Sequence, residues 1–251
     1  MELSNRYFWF KSIIPPETCQ KIIDLGLKKI EEEKAKGNSV AAYTFGDRQK
    51  DAMPNAAPQG EKTIQQMRSV GESTETYVRD SDVAWLTDQW LYDLICPLIQ
   101  EANTRAGWHW EWDHAESFQF TVYRPNGFYS WHTDGPSDHV GKYKRYIYGI
   151  TPKPLKDNGM LPDRYVTDQK MVGKIRKISM TLNLNPDEYE GGNLKFDFGQ
   201  HNENGQFWEA SEFRDQGSMI VFPSFAPHCV TPVTSGVRYS LVLWCVGDPW
   251  K

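Results

Sequence analysis

The sequence predicts a mainly β fold, a double-sheet jelly roll with helices packed outside it, and two features carry that prediction. After Gly107 the segments WHWEWD, ESFQFTVY, KISMTLNL, NLKFDFG, SMIVFP and RYSLVLWCV alternate or run apolar, each bounded by Gly, Pro, Asn or Asp. Ahead of Gly107, apolar residues recur at helical spacing, so helices belong to the N-terminal part and are expected on the major sheet. At 251 residues the chain suits a single domain, with a helical and loop support region over 1–106 and the jelly-roll core over 107–251.

Taken in order, Pro15-Pro16 followed by ETCQKIIDLGLKKIEEEKAKG marks a helix start and stop, with Ile22, Ile23, Leu27 and Ile30 on one face and Gly37 beyond the end. Residues 37–62 lack either periodicity and read as a long loop. A second helical pattern follows the capping residues Asp80-Ser81-Asp82 and runs through VAWLTDQWLYDLICPLIQEANTR, where Pro97 is expected to kink or divide it. Trp108, Trp110 and Trp112 alternate with polar residues, as one face of a strand would. Between Asp134 and the strand around Ile178 lies an insertion at about 135–175 containing the turn signals GPSD, TPKP, DNG and LPD. Over 142–177 the chain carries ten basic residues against three acidic ones, opposite in sign to the formal charge of −5 for the whole.

That negative balance argues against a protein-wide nucleic-acid surface. Cys19, Cys96, Cys229 and Cys245 are scattered without a CxxC pair, which suggests buried thiols in a reducing compartment. The opening MELSNRYFWFKSIIPP has an apolar run too short, and broken too soon by Lys11 and Pro15, for a signal peptide or membrane span. A cytoplasmic location without membrane attachment is the expectation.

The chemistry concentrates in YRPNGFYSWHTDGPSDH. In a strand, residues i and i+2 share a face, so His132 and Asp134 project together and make half of a metal site. Of the other histidines, His228 in VFPSFAPHCVTPV stands out, because an imidazole in so apolar a segment needs a reason. His109, His114, His139 and His201 read as surface or packing residues. Arg238 follows ten residues after His228; a hairpin of 228–233 with 236–246 would aim its guanidinium into the same cavity, where it suits the far end of a dicarboxylate. Gly191-Gly192 reads as a strand-entry turn.

His-x-Asp, a distant His and an Arg ten residues later resemble the iron(II)- and 2-oxoglutarate-dependent dioxygenases. Tyr123, Gly127 and Tyr129 ahead of the pair, EYEGGNLKF with Leu194, Trp244 six residues past Arg238, and VRDSDVAWL resemble the prolyl 4-hydroxylase branch over roughly 77–246. The resemblance implies a double-stranded β-helix core and a metal triad of His132, Asp134 and His228. It further implies Fe(II), 2-oxoglutarate, O2 and ascorbate as ligands, with Arg238, Tyr123, Asn183, Leu194 and Trp244 around the co-substrate. Asn183 occupies a position where the family often has Tyr, and its amide remains a hydrogen-bond donor.

The implied reaction is hydroxylation of a prolyl residue in a peptide or protein, coupled to oxidative decarboxylation of 2-oxoglutarate to succinate and CO2. A lysyl residue, free amino acid or other small molecule is the alternative substrate, and a non-catalytic jelly-roll binding protein the alternative class. Halogenation is disfavoured because Asp134 is intact, and nucleic-acid demethylation because no second arginine follows Arg238 at greater spacing. On this reading the basic insertion at 135–175 is a hinged lid over the substrate.

Overall fold

The computed structural model describes residues 5–42, 79–134, 174–185, 188–198 and 207–250. The loop expected at 37–62 beyond residue 42, the lid expected at 135–175 up to residue 173, and His139 and His201 lie outside them.

Strand β1 (Phe8–Phe10) leads into helix α1 (Pro16–Ala35). Pro16 supplies the restricted φ of a first turn, while Glu17 and Lys34 complement the two ends of the helix dipole. Its buried stripe is Cys19, Ile22, Ile23, Gly26 and Ile30, the face that its sequence spacing marks out. Gly26 seats this helix: a Cβ there would overlap the ring of Phe120.

The next segment departs from the sequence expectation. Residues 79–86 form strands β2 (Arg79–Asp80) and β3 (Asp82–Leu86), and helix α2 begins only at Gln89 and ends at Arg105. A helical pattern yields here to non-local pairing, because β3 adds to the edge of β5 (Phe118–Tyr123), from Asp82 opposite Val122 to Leu86 opposite Phe118. Helix α2 runs through Pro97 without dividing, with Leu91, Ile95 and Ile99 buried on either side of it. WHWEWD is likewise not a strand, since only β4 (His114–Ala115) follows. Instead the rings of Trp108 and Trp110 stack at 5.1 Å, and Trp112 donates its indole N–H to Gln100.

The remaining strands are β6 (Phe128–His132), β7 (Ile175–Asn183), β8 (Glu190–Gly191), β9 (Leu194–Phe196), β10 (Trp208–Glu209), β11 (Met219–Pro223), β12 (His228–Val230), β13 (Val233–Ser235) and β14 (Arg238–Gly247). A seven-stranded antiparallel sheet runs β1-β11-β7-β14-β5-β3 with β4 beside β14, and a five-stranded sheet runs β10-β9-β12-β6-β2. Strands β13 and β8 make a separate ribbon. These opposed sheets form the double-stranded β-helix.

Alternation along the major sheet sorts its residues into two environments. Phe118, Phe120, Val122, Ile178, Met180, Leu182, Leu241 and Leu243 join α1 and α2 in one apolar core. The opposite face carries Gln119, Thr121, Ser179, Thr181, Asn183, Arg238 and Ser240, all buried. So many buried polar groups on an inward face mark a site rather than a core.

Candidate active site

His132 ends β6 and His228 begins β12, and the two are directly paired across the minor sheet. Asp134 lies just past β6, fixed by donation of its backbone N–H to Ser224 O at 2.8 Å. The ligating atoms of these three residues all lie within 4.8 Å of one another. Each imidazole Nε2 is 3.6 Å from a different Asp134 oxygen.

Protonation follows from the partners. His132 Nδ1 is 2.7 Å from Ser130 O and His228 Nδ1 is 2.9 Å from Ala226 O, and a carbonyl only accepts, so both Nδ1 atoms carry the proton. Both Nε2 atoms then face Asp134. Burial works against the Asp134 carboxylate, but His228, His132 and Arg176 outweigh it and hold its pKa well below the usual carboxylate range. Burial also pushes the His228 imidazole down to about 4 against the pull of Asp134. At neutral pH the His228 imidazole is therefore neutral and Asp134 is a carboxylate, and His132 completes a two-histidine, one-carboxylate donor set. That donor set fits iron(II).

Arg238 reaches the interior by a different route from the expected hairpin. β12 belongs to the minor sheet and β14 to the major one, with β13 paired to β8 between them. The guanidinium thus enters from the opposite wall of the roll. It is 1% exposed, lies over the rings of Tyr123 at 5.2 Å and Phe213 at 5.5 Å, and its Nε and one terminal nitrogen have no hydrogen-bond partner among the described residues. A buried cation with unsatisfied donors fits a carboxylate ligand such as the far end of 2-oxoglutarate. Gly192 makes room, because a Cβ there would come within 3.0 Å of Arg238 Cδ. Its φ of +61° and that of +70° at Gly191 make the expected turn.

The other predicted residues divide. Tyr123 is the residue directly opposite Arg238 on β5, and Leu194 lies in the inner apolar cluster with Phe196, Phe213 and Val233. Trp244 is buried, and its indole N–H has no partner among the described residues. Asn183 differs from the expectation: its amide N–H groups go to Arg214 O at 2.7 Å and Asn185 O at 3.3 Å, and its oxygen accepts from Tyr189 at 3.3 Å. With both amide N–H groups engaged by backbone carbonyls, Asn183 has no further donor to present to a co-substrate.

Arg176 and Glu116 are the residues that sequence reasoning passed over. Arg176 forms two 2.6 Å bonds to the Glu116 carboxylate, donates to Asp134 O at 3.4 Å, and lies 4.0 Å from the centroid of the Trp244 ring. It therefore ties the ligand-bearing turn to the major sheet. In the sequence it sits within the basic run of 142–177, whereas β7 begins at Ile175 and buries it.

The model of the 2OG-Fe(II) oxygenase superfamily matches residues 118–246, just over half of the chain. The chain belongs to that superfamily. Fe(II) and 2-oxoglutarate are accordingly the metal and co-substrate of the family, and the donor set of His132, Asp134 and His228 fits that metal. A PKHD-type hydroxylase of Klebsiella pneumoniae (strain 342) is 39% identical over 95 residues, 36% of this chain and 38% of that one. Another, from Synechococcus sp. (strain CC9605), is 41% identical over 71 residues, 28% of this chain and 29% of that one. Both alignments span less than two fifths of the relative's length.

Among solved structures, a Pseudomonas putida prolyl-4-hydroxylase shares the fold with a TM-score of 0.52 and 17% identity, covering 97% of this chain and 94% of that one. A prolyl hydroxylase of Trichoplax adhaerens, solved with a hypoxia-inducible-factor peptide, has a TM-score of 0.53 and 15% identity, covering 96% and 83%. No helix among the described residues is long and apolar enough to cross a membrane.

Proposed function

We propose that the protein hydroxylates prolyl residues in a peptide or protein, consuming O2 and 2-oxoglutarate and releasing succinate and CO2. The observation that carries this reading is the unsatisfied Arg238 guanidinium on one wall of the roll, opposite a two-histidine, one-carboxylate cluster on the other. Bound iron supplies oxygen activation and the oxidative decarboxylation that accompanies it.

The chain's own residues do the rest. His132, Asp134 and His228 would hold the metal. Arg238 binds the far carboxylate of the co-substrate, with Tyr123 as adjoining wall and Leu194 as apolar lining. Trp244, steadied by Arg176, offers its indole N–H to the bound reactants. Burial of this set excludes water from the reacting centre. The PKHD-type relatives and the prolyl hydroxylase fold support the substrate class.

Incubating the purified protein with Fe(II), 2-oxoglutarate and proline-containing peptides tests the reading. Peptide-dependent succinate release with a +16 Da product placed on a prolyl residue by fragmentation is expected. Oxidation placed on lysyl residues or only on free amino acids would replace the proposed substrate.

A further inference from the structure

Residues three apart on a regular strand point to opposite faces, so Tyr129 and His132 should not meet. They do, with rings stacked at a centroid distance of 3.5 Å and an interplanar angle of 16°. The cause is a bulge: His228 pairs with His132 and Val230 with Tyr129, so two steps of β12 face three of β6. The extra residue in β6 turns Tyr129 onto the face that carries the imidazole.

A second group holds the phenol. Arg79, the residue opposite Tyr129 on β2, lies with its guanidinium carbon 4.6 Å from the same ring centroid. Arg79 is buried and fixed by neutral oxygens: Ser81 at 2.8 Å, Thr121 at 3.3 Å and Gln119 at 3.4 Å. These partners leave the planar fork little freedom and keep its charge against the ring.

The 2.7 Å bond from His132 Nδ1–H to Ser130 O sets where the imidazole edge points, yet a single bond permits the ring to rock about it. The stack with Tyr129 opposes that rocking, because tilting the imidazole would separate two rings in contact. We propose that Tyr129, held by Arg79, is a positioning residue for His132 that strengthens metal binding by fixing the imidazole plane. This rests on the metal role of His132 proposed above. The effect belongs to the aromatic face of Tyr129 and not to its hydroxyl.

Mn(II) binding to the full chain, read by electron paramagnetic resonance of free Mn(II) without 2-oxoglutarate, tests it alongside thermal melting of the metal-free protein. Wild type should bind Mn(II), and His132→Ala should not. Tyr129→Phe should bind within about twofold of wild type, whereas Tyr129→Leu should weaken binding by about tenfold, the loss typical of removing a group that orients a metal ligand. Arg79→Met should weaken it by about threefold, less than Tyr129→Leu, because Arg79 acts on His132 only through the Tyr129 ring. Tyr129→Leu binding as tightly as wild type, or Tyr129→Phe binding as weakly as Tyr129→Leu, would overturn the positioning role. So would a lowered melting temperature with unchanged Mn(II) affinity, the mark of a purely structural residue. Should Tyr129→Leu fail to fold, Arg79→Met carries the test, and wild-type affinity in that variant overturns the proposal. Failure of wild type to bind Mn(II) would instead remove the metal reading itself.

Discussion

His132 and His228 face each other across β6 and β12 with ring centroids 4.2 Å apart, and each donates Nδ1–H to the carbonyl two residues before it, Ser130 and Ala226. This repeated local bond aims both Nε2 atoms at one point beside Asp134. Replacing any of the three by Ala should therefore reduce succinate formation to background while leaving the fold intact. Succinate assay with circular dichroism checks this, and near-normal turnover in any one variant removes that residue from the triad.

Arg238→Ala acts on the co-substrate. It removes charge-assisted hydrogen bonds of about 1.5–3 kcal/mol, so the 2-oxoglutarate requirement should rise by roughly one to two orders of magnitude. Fe(II) affinity should stay unchanged, because Arg238 lies on the wall opposite the triad. A Michaelis analysis in 2-oxoglutarate beside a metal titration separates the two effects.

The Arg176–Glu116 pair is mostly buried, with side-chain exposures of 7% and 13%. Glu116→Ala strands a buried guanidinium and should cost about 3–5 kcal/mol in urea unfolding. Adding Arg176→Met to it should recover part of that loss, since the apolar pair leaves no uncompensated charge. Losses that simply add in the double variant would contradict a coupled pair.

Gly26 tests how α1 is seated. Gly26→Ala should gain helix propensity yet press its methyl into Phe120, and the overpacking, about 1–3 kcal/mol, should prevail. Gly26→Val should lower the melting temperature further. A variant as stable as wild type would mean that the helix shifts freely on the sheet.

The site was legible in the sequence where its signal is local. His132 and Asp134 two apart, His228 in an apolar segment and Arg238 ten residues later need only strand alternation and order along the chain. What depends on pairing between distant segments was not legible. β3 reads as helix because nothing local reveals the open edge of β5, and Arg238 reads as a hairpin partner although β12 and β14 lie in different sheets. The β6 bulge shows only against β12, so the contact of Tyr129 with His132 is invisible to a period-two pattern. Arg176 was hidden differently, as one of ten basic residues in a run over 142–177. Its burial became evident only beside Glu116, sixty residues away in the chain.

The most direct measurement of the central claim is anaerobic titration of the metal-free protein with Fe(II) and then 2-oxoglutarate, followed by visible absorption. A weak charge-transfer band should appear only when both are present. His132→Ala should abolish it, and Arg238→Ala should shift its appearance to higher 2-oxoglutarate. A protein that binds Fe(II) without developing the band at saturating 2-oxoglutarate, or that develops it equally well in Arg238→Ala, would contradict the account.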